Sequence, residues 1–148
     1  MVIGTGNRRR RRIRWRLMAS VQELAATPLL ESLSESDLEE IAPWFETRTA
    51  EGGERLCCEG AHGYSFFILK EGTAEVTAQG KTLTTLGPGD FFGEMAILGD
   101  GRRSATVTTT SAASMLVLFG TEFRQLQQAR PEIAARVEEA MRERLARS

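Results

Sequence analysis

Apolar positions change their spacing twice along this chain. Between residues 20 and 43 they recur at helical intervals. Leu33, Leu38 and Ile41 form one stripe, Ser34 followed by Asp37 resembles a capping box, and Pro43 closes the segment. From residue 44 to about 119 the runs are short or alternating, with turn sequences between them: "EGGE", "EGAHG", "KEG", "QGK", "GPGD" and "GDG". The predicted strands are Trp44–Thr49, Arg55–Cys58, Tyr64–Leu69, Thr73–Ala78, Lys81–Leu86, Ser104–Thr109 and Ser114–Phe119. Closely spaced strands of this kind make an antiparallel sandwich or barrel. Tyr64–Leu69 and Met115–Phe119 are nearly all apolar, as for strands covered on both faces. Residues 121–147 return to helix. Phe123 and Leu126 mark a first helix. Pro131 starts a second, with Ile133, Val137, Met141 and Leu145 at intervals of four. The expected architecture is mainly β with flanking helices: an antiparallel β roll, jelly-roll-like, with helices on the N-terminal side and lid helices at the C-terminal end.

Charge adds a boundary. Seven of the 19 basic residues are arginines within residues 1–17, which hold no acid. The remaining 131 residues carry 12 basic against 20 acidic groups, a net of −8. We expect residues 1–19 to be a basic, disordered arm and residues 20–148 to be the folded domain. Arginine runs touch phosphates or other acidic surfaces, but a solvated tail is the plainer reading, and Met18 is a second candidate start. An acidic body does not suit broad nucleic-acid binding. The N-terminal arginines are not followed by the apolar run of a signal peptide. The adjacent Cys57 and Cys58 would make a strained disulfide, so two free thiols in a reducing, cytoplasmic compartment are expected.

The chemistry concentrates in "FFGEMAILGDGRRSATV", Phe91 to Val107. Gly93 frees the backbone to turn, and Met95–Leu98 supply one helical turn whose first N–H groups face outward, a small anion site. Arg102 and Arg103 offer fork-shaped cations, and Ser104 a hydroxyl. Glu94 would repel a phosphate but accepts well from a sugar hydroxyl. One acceptor for ribose and one cation for a singly charged phosphate fit a cyclic nucleotide. A triphosphate would want more positive charge, and GxxxxGK[ST] is absent. A solitary hairpin arginine would be read as solvent-facing; the spacing from Gly93 and Glu94 argues otherwise. One histidine, His62 in a glycine turn, is too few for a cupin-like metal centre. A helix-turn-helix after the last helix is not expected within this sequence.

The stretch closely resembles the phosphate-binding cassette of the cyclic nucleotide-binding domain family. That cassette reads Phe-Gly-Glu, Leu or Met, Ala, Leu or Ile, five variable positions, Arg, a small residue, Ala, Thr or Ser, and Val. Here it is Phe92-Gly93-Glu94-Met95-Ala96-Ile97, then Arg103-Ser104-Ala105-Thr106-Val107. "LGPGDFFGE" and "FFILKEGTAEV" match the approach to the cassette and an earlier strand pair. The overall look is closest to the cytoplasmic domain of bacterial cyclic nucleotide-gated potassium channels. The resemblance spans about residues 20–147. It implies that Glu94 holds the ribose 2′-OH and that Arg103, Ser104 and the Ala105 N–H hold the cyclic phosphate, with Gly93 and Met95 beside them. It implies a base-side wall of Val76, Leu83 and Leu86, and a last helix that covers the base from among Met141, Arg142, Arg144 and Leu145, with Arg144 or Leu145 the expected contact. Arg102 stands where the family often has proline. Ser104 is the residue seen in bacterial receptors, and its hydroxyl can meet guanine, so cAMP and cGMP both stay open. The expected function is a non-catalytic sensor that needs no cofactor and moves its C-terminal helix to regulate an effector protein or domain. The alternative is a degenerate β roll that contacts proteins and binds no nucleotide.

Overall fold

The computed structural model describes residues 19–58, 60, 64–99 and 105–147. Two short helices come first, α1 (Val21–Ala25) and α2 (Glu35–Ile41), each followed by a 3₁₀ turn, Pro28–Leu30 and Ala42–Trp44. Ser20 opens α1 with a full capping box. Its Oγ accepts from the Glu23 N–H at 3.1 Å, and its own N–H donates to Glu23 Oε1 at 2.8 Å. Ser34 caps α2 by accepting from the Asp37 N–H at 3.1 Å. Pro43 does not end the helical segment; it lies inside the 3₁₀ turn that extends it, so Trp44 is not in a strand.

Eight strands follow: β1 (Glu46–Ala50), β2 (Arg55–Cys57), β3 (Ser65–Glu71), β4 (Ala74–Ala78), β5 (Lys81–Leu86), β6 (Phe91–Phe92), β7 (Thr106–Thr109) and β8 (Ala113–Phe119). A one-turn helix, α3 (Met95–Leu98), sits between β6 and β7. The strands form two antiparallel four-stranded sheets, ordered β1-β8-β3-β6 and β2-β7-β4-β5. The expected β roll is therefore the observed fold. Phe91–Phe92 is an extra strand, too short to stand out as a run. Two helices close the chain, α4 (Gly120–Ala129) and α5 (Pro131–Arg147).

The two apolar runs fall on neighbouring strands and explain the layering. Along β3, Phe66 and Ile68 point to one side and Phe67 and Leu69 to the other, the period-two alternation of a strand. On β8, Leu116 and Leu118 face the first side, Met115 and Val117 the second. Phe67 pairs with Val117 and Leu69 with Met115, so each face is continuous across the two strands. One face lies between the sheets with Ala74, Phe92 and Val107. The other is covered by helices, with Leu24, Leu30, Ile41, Phe123, Leu126, Ile133, Val137 and Met141 all at most 2% exposed. N-terminal and C-terminal helices thus share one core. Gly72 is required where β3 turns into β4. Its φ is +91°, and a Cβ there would run into the Ala112 carbonyl.

Candidate functional site

The segment entering the site is held from both ends. In "GPGD" the Gly87 N–H donates to Asp90 Oδ2 at 2.8 Å, and the Asp90 N–H to the Gly87 carbonyl at 3.0 Å. The turn is stitched to β3 by Gly89 N–H to the Leu69 carbonyl and Leu69 N–H to the Asp90 carbonyl, both 2.8 Å. β6 then pairs Phe92 with Phe67 and Phe91 with Ile68. The Phe67 and Phe92 rings stack at 4.7 Å, 12° from parallel. With the strand so fixed, Gly93 takes φ +80°, a left-handed conformation that turns the chain into α3. Glu94 follows as the residue capping α3. Inside the turn, Ala96 donates to the Gly93 carbonyl at 3.0 Å, and Ile97 and Leu98 donate to the Glu94 carbonyl at 2.9 and 2.8 Å. Among the described residues, Ala96 is the first of the α3 donors bonded within the turn.

These residues border a pocket of about 180 Å³. Its described lining is Cys57, Val76, Leu86, Phe91, Phe92, Gly93, Glu94, Met95, Ala105 and Val107. The wall is a cross-strand row: Cys57 on β2 and Val76 on β4 both pair with Val107 on β7 between them. Leu86 is set by its pairing with Ala74. Glu94 is half-buried and is the one charged side chain among the described lining residues. The arrangement is a slot of mixed polar and apolar surface, walled by apolar side chains, with one carboxylate acceptor at the cassette turn. It suits a ligand with a flat apolar part and a hydroxyl. Among the described residues no group of three His, Cys, Asp or Glu could hold a metal ion.

Of the residues singled out from the sequence, Val76, Leu86, Gly93, Glu94, Met95 and Ala105 come together here. Arg103 and Ser104 lie outside the described residues, as do Arg102, His62 and residues 1–18. Leu83 is not among the described lining residues. It falls at a β-bulge, where Val76 and Thr77 pair with Thr84 and Thr82, and is 60% exposed. Arg144 and Leu145 are not among the described lining residues either. They lie toward the end of α5, which packs on α4 and the Pro28–Leu30 turn. Met141 and Arg142, also expected to cover the base, are not among the described lining residues, and Met141 is instead fully buried in the helical core. Cys57, Phe91 and Phe92 were not anticipated as lining. For Cys57 the missing information was register: it reaches the pocket only because Val107 stands between it and Val76.

Fold and pocket together define a ligand-binding β roll. Residues 47–130 match the family described as "Cyclic nucleotide-binding domain", and the chain belongs to that family. It is 38% identical over 113 residues to a cyclic nucleotide-gated potassium channel of Mesorhizobium japonicum, covering 76% of this chain and 31% of that protein. It is 38% identical over 104 residues to a cAMP-dependent protein kinase regulatory subunit of Eremothecium gossypii, covering 70% of this chain and 23% of that one. The chain thus spans less than a third of these relatives. The N-terminal domain of a transcriptional regulator from Streptomyces coelicolor superposes with a TM-score of 0.72 at 25% identity, covering 84% of this chain and 91% of that domain.

Proposed function

We propose that the chain is a non-catalytic sensor of a cyclic nucleotide, cAMP or cGMP, which regulates an effector protein or domain. The observation that carries this is the joint position of Glu94 and Ala105 on one pocket walled by apolar strand side chains. In this reading the purine lies along Val76 and Leu86, with Leu83 at the outer rim. Glu94 accepts from the ribose 2′-OH. Arg103, Ser104 and the Ala105 N–H take the cyclic phosphate, and Gly93 and Met95 shape the turn around it. The names of the channel and the kinase subunit support the ligand class. Cys57 is buried and Cys58 exposed, and neither is in a disulfide among the described residues; a reducing compartment such as the cytoplasm fits adjacent thiols.

Signal output rests on α5. Its Ile133, Val137 and Met141 are at most 1% exposed, a burial of about 5–9 kcal/mol for three such side chains. That burial holds α5 against the helical layer, so the movement in this reading is a shift within the layer rather than a release from it. The shift carries Arg144 and Leu145 toward the base. Ligand contact with those residues would favour the shifted arrangement.

Calorimetry with cAMP and cGMP tests the assignment. A charge-assisted hydrogen bond contributes about 1.5–3 kcal/mol, so Arg103→Ala weakens binding more than about tenfold, and Arg102→Ala much less. Equal losses, or the reverse order, would show the assigned register to be wrong.

A further inference from the structure

Beyond the apolar core, α5 is tied to the N-terminal helices by two charged contacts at its rim. Arg136 grips Asp37 of α2 with both ends of its fork: Nε to Oδ2 at 3.0 Å and an Nη to Oδ1 at 2.9 Å. The Asp37 side chain is only 15% exposed, and the guanidinium holds its carboxyl below the ordinary carboxylate range. Arg130 pairs with Glu40 of the same helix. Arg130 is also the whole junction between α4 and α5. Its N–H donates to the Leu126 carbonyl at 2.7 Å, and its carbonyl accepts from Ala134 at 3.1 Å. Any movement of α5 against α4 pivots there.

The two kinds of contact act differently. Apolar burial is non-directional and is kept when a helix slides a small distance on its neighbours. A bidentate guanidinium–carboxylate pair fits one geometry only. The core therefore keeps α5 on the helical layer, and the ion pairs select where on it. The position they select is one in which no residue of α5 is among the described lining of the pocket.

We propose that Asp37–Arg136 is a latch that holds α5 in its off-pocket register, with Glu40–Arg130 fixing the pivot, and so lowers the apparent affinity for the nucleotide. This rests on the reading that α5 shifts toward the base on binding. Breaking the latch enlarges the share of binding-competent molecules, and apparent affinity follows that share.

The test is cAMP calorimetry on the full chain carrying Asp37→Asn, which keeps the size of the side chain and loses its charge. Binding should tighten about two- to fivefold, the range set by a partly exposed ion pair. Arg136→Gln breaks the same contact from its solvent side and should do likewise, should the first variant fold poorly. The exchanged pair, Asp37→Arg with Arg136→Asp, should return affinity toward the parent. Amide exchange in residues 131–147 of the parent is measured with and without cAMP alongside. If cAMP alters that exchange but neither single variant tightens binding, the latch is refuted and the movement stands. If exchange there is unchanged at saturation, the movement itself is refuted and the latch falls with it.

Discussion

Glu94 is the residue on which ligand chemistry turns, because it is the one charged side chain among the described lining of the pocket. If its carboxylate accepts from the ribose 2′-OH, removing the hydroxyl and neutralising the carboxylate disrupt one contact, not two. Glu94→Gln should therefore cost much less affinity for 2′-deoxy-cAMP than for cAMP, in a cycle of four titrations. Additive losses would mean that Glu94 acts by shaping the turn. The side chains around it were legible to different degrees. Gly93 and Glu94 stand in a dense local motif, and Val76 and Leu86 are apolar strand positions, so their type pointed to the pocket. Cys57 reaches it through pairing with Val107, and Leu83 misses it through a bulge. The first depends on a partner far along the chain, the second on an irregularity inside a local hairpin, and neither shows in the spacing of apolar residues.

At the level of elements, the first helix is held by a device visible in four residues. Ser20 and Glu23 have capping-box spacing and form the complete box, and Ser34 caps α2 by accepting from the Asp37 N–H. Glu23 also pairs with Lys70 of β3, so one carboxylate caps α1 and anchors it to the roll. Burial alone would push its carboxyl up. The bonds to Lys70 and Ser20 outweigh that and hold it below its ordinary value. A carboxylate lowered in the folded state stabilises the fold above its unfolded pKa, near 4.3, and that contribution is lost as pH falls through the folded value. Glu23→Gln should lower the urea midpoint at pH 7, and the gap from the parent should narrow on acidification to about pH 3. A gap that stays constant would contradict the linkage. The strand plan was readable because turn sequences punctuate it. β6 was not, since two residues carry no period and owe their strand to pairing with Phe67 and Ile68.

Over the whole molecule, two cores divide the work. The inter-sheet core fixes the pocket wall, while the helical core joins α1, α2, α4 and α5 into one layer on the far side of β3 and β8. The sequence showed both strands to be covered on two faces, and the C-terminal stripe to be apolar. It did not show that the stripe packs with the N-terminal helices, because residues such as Asp37 and Arg136 meet across 99 positions. Within the described residues no helix is long and apolar enough to cross a membrane.

The account stands or falls on whether a cyclic nucleotide binds this chain as one defined ligand. Calorimetric titration of the full chain with cAMP, cGMP and 5′-AMP is the direct measurement. The expected result is saturable, one-to-one binding of at least one cyclic nucleotide, with 5′-AMP, whose phosphate carries more charge and is not closed onto the 3′ oxygen, binding at least about tenfold more weakly, a difference of about 1.4 kcal/mol. No saturable heat with either cyclic nucleotide, or 5′-AMP binding as well as both, would contradict the account and leave a roll that serves protein contacts alone.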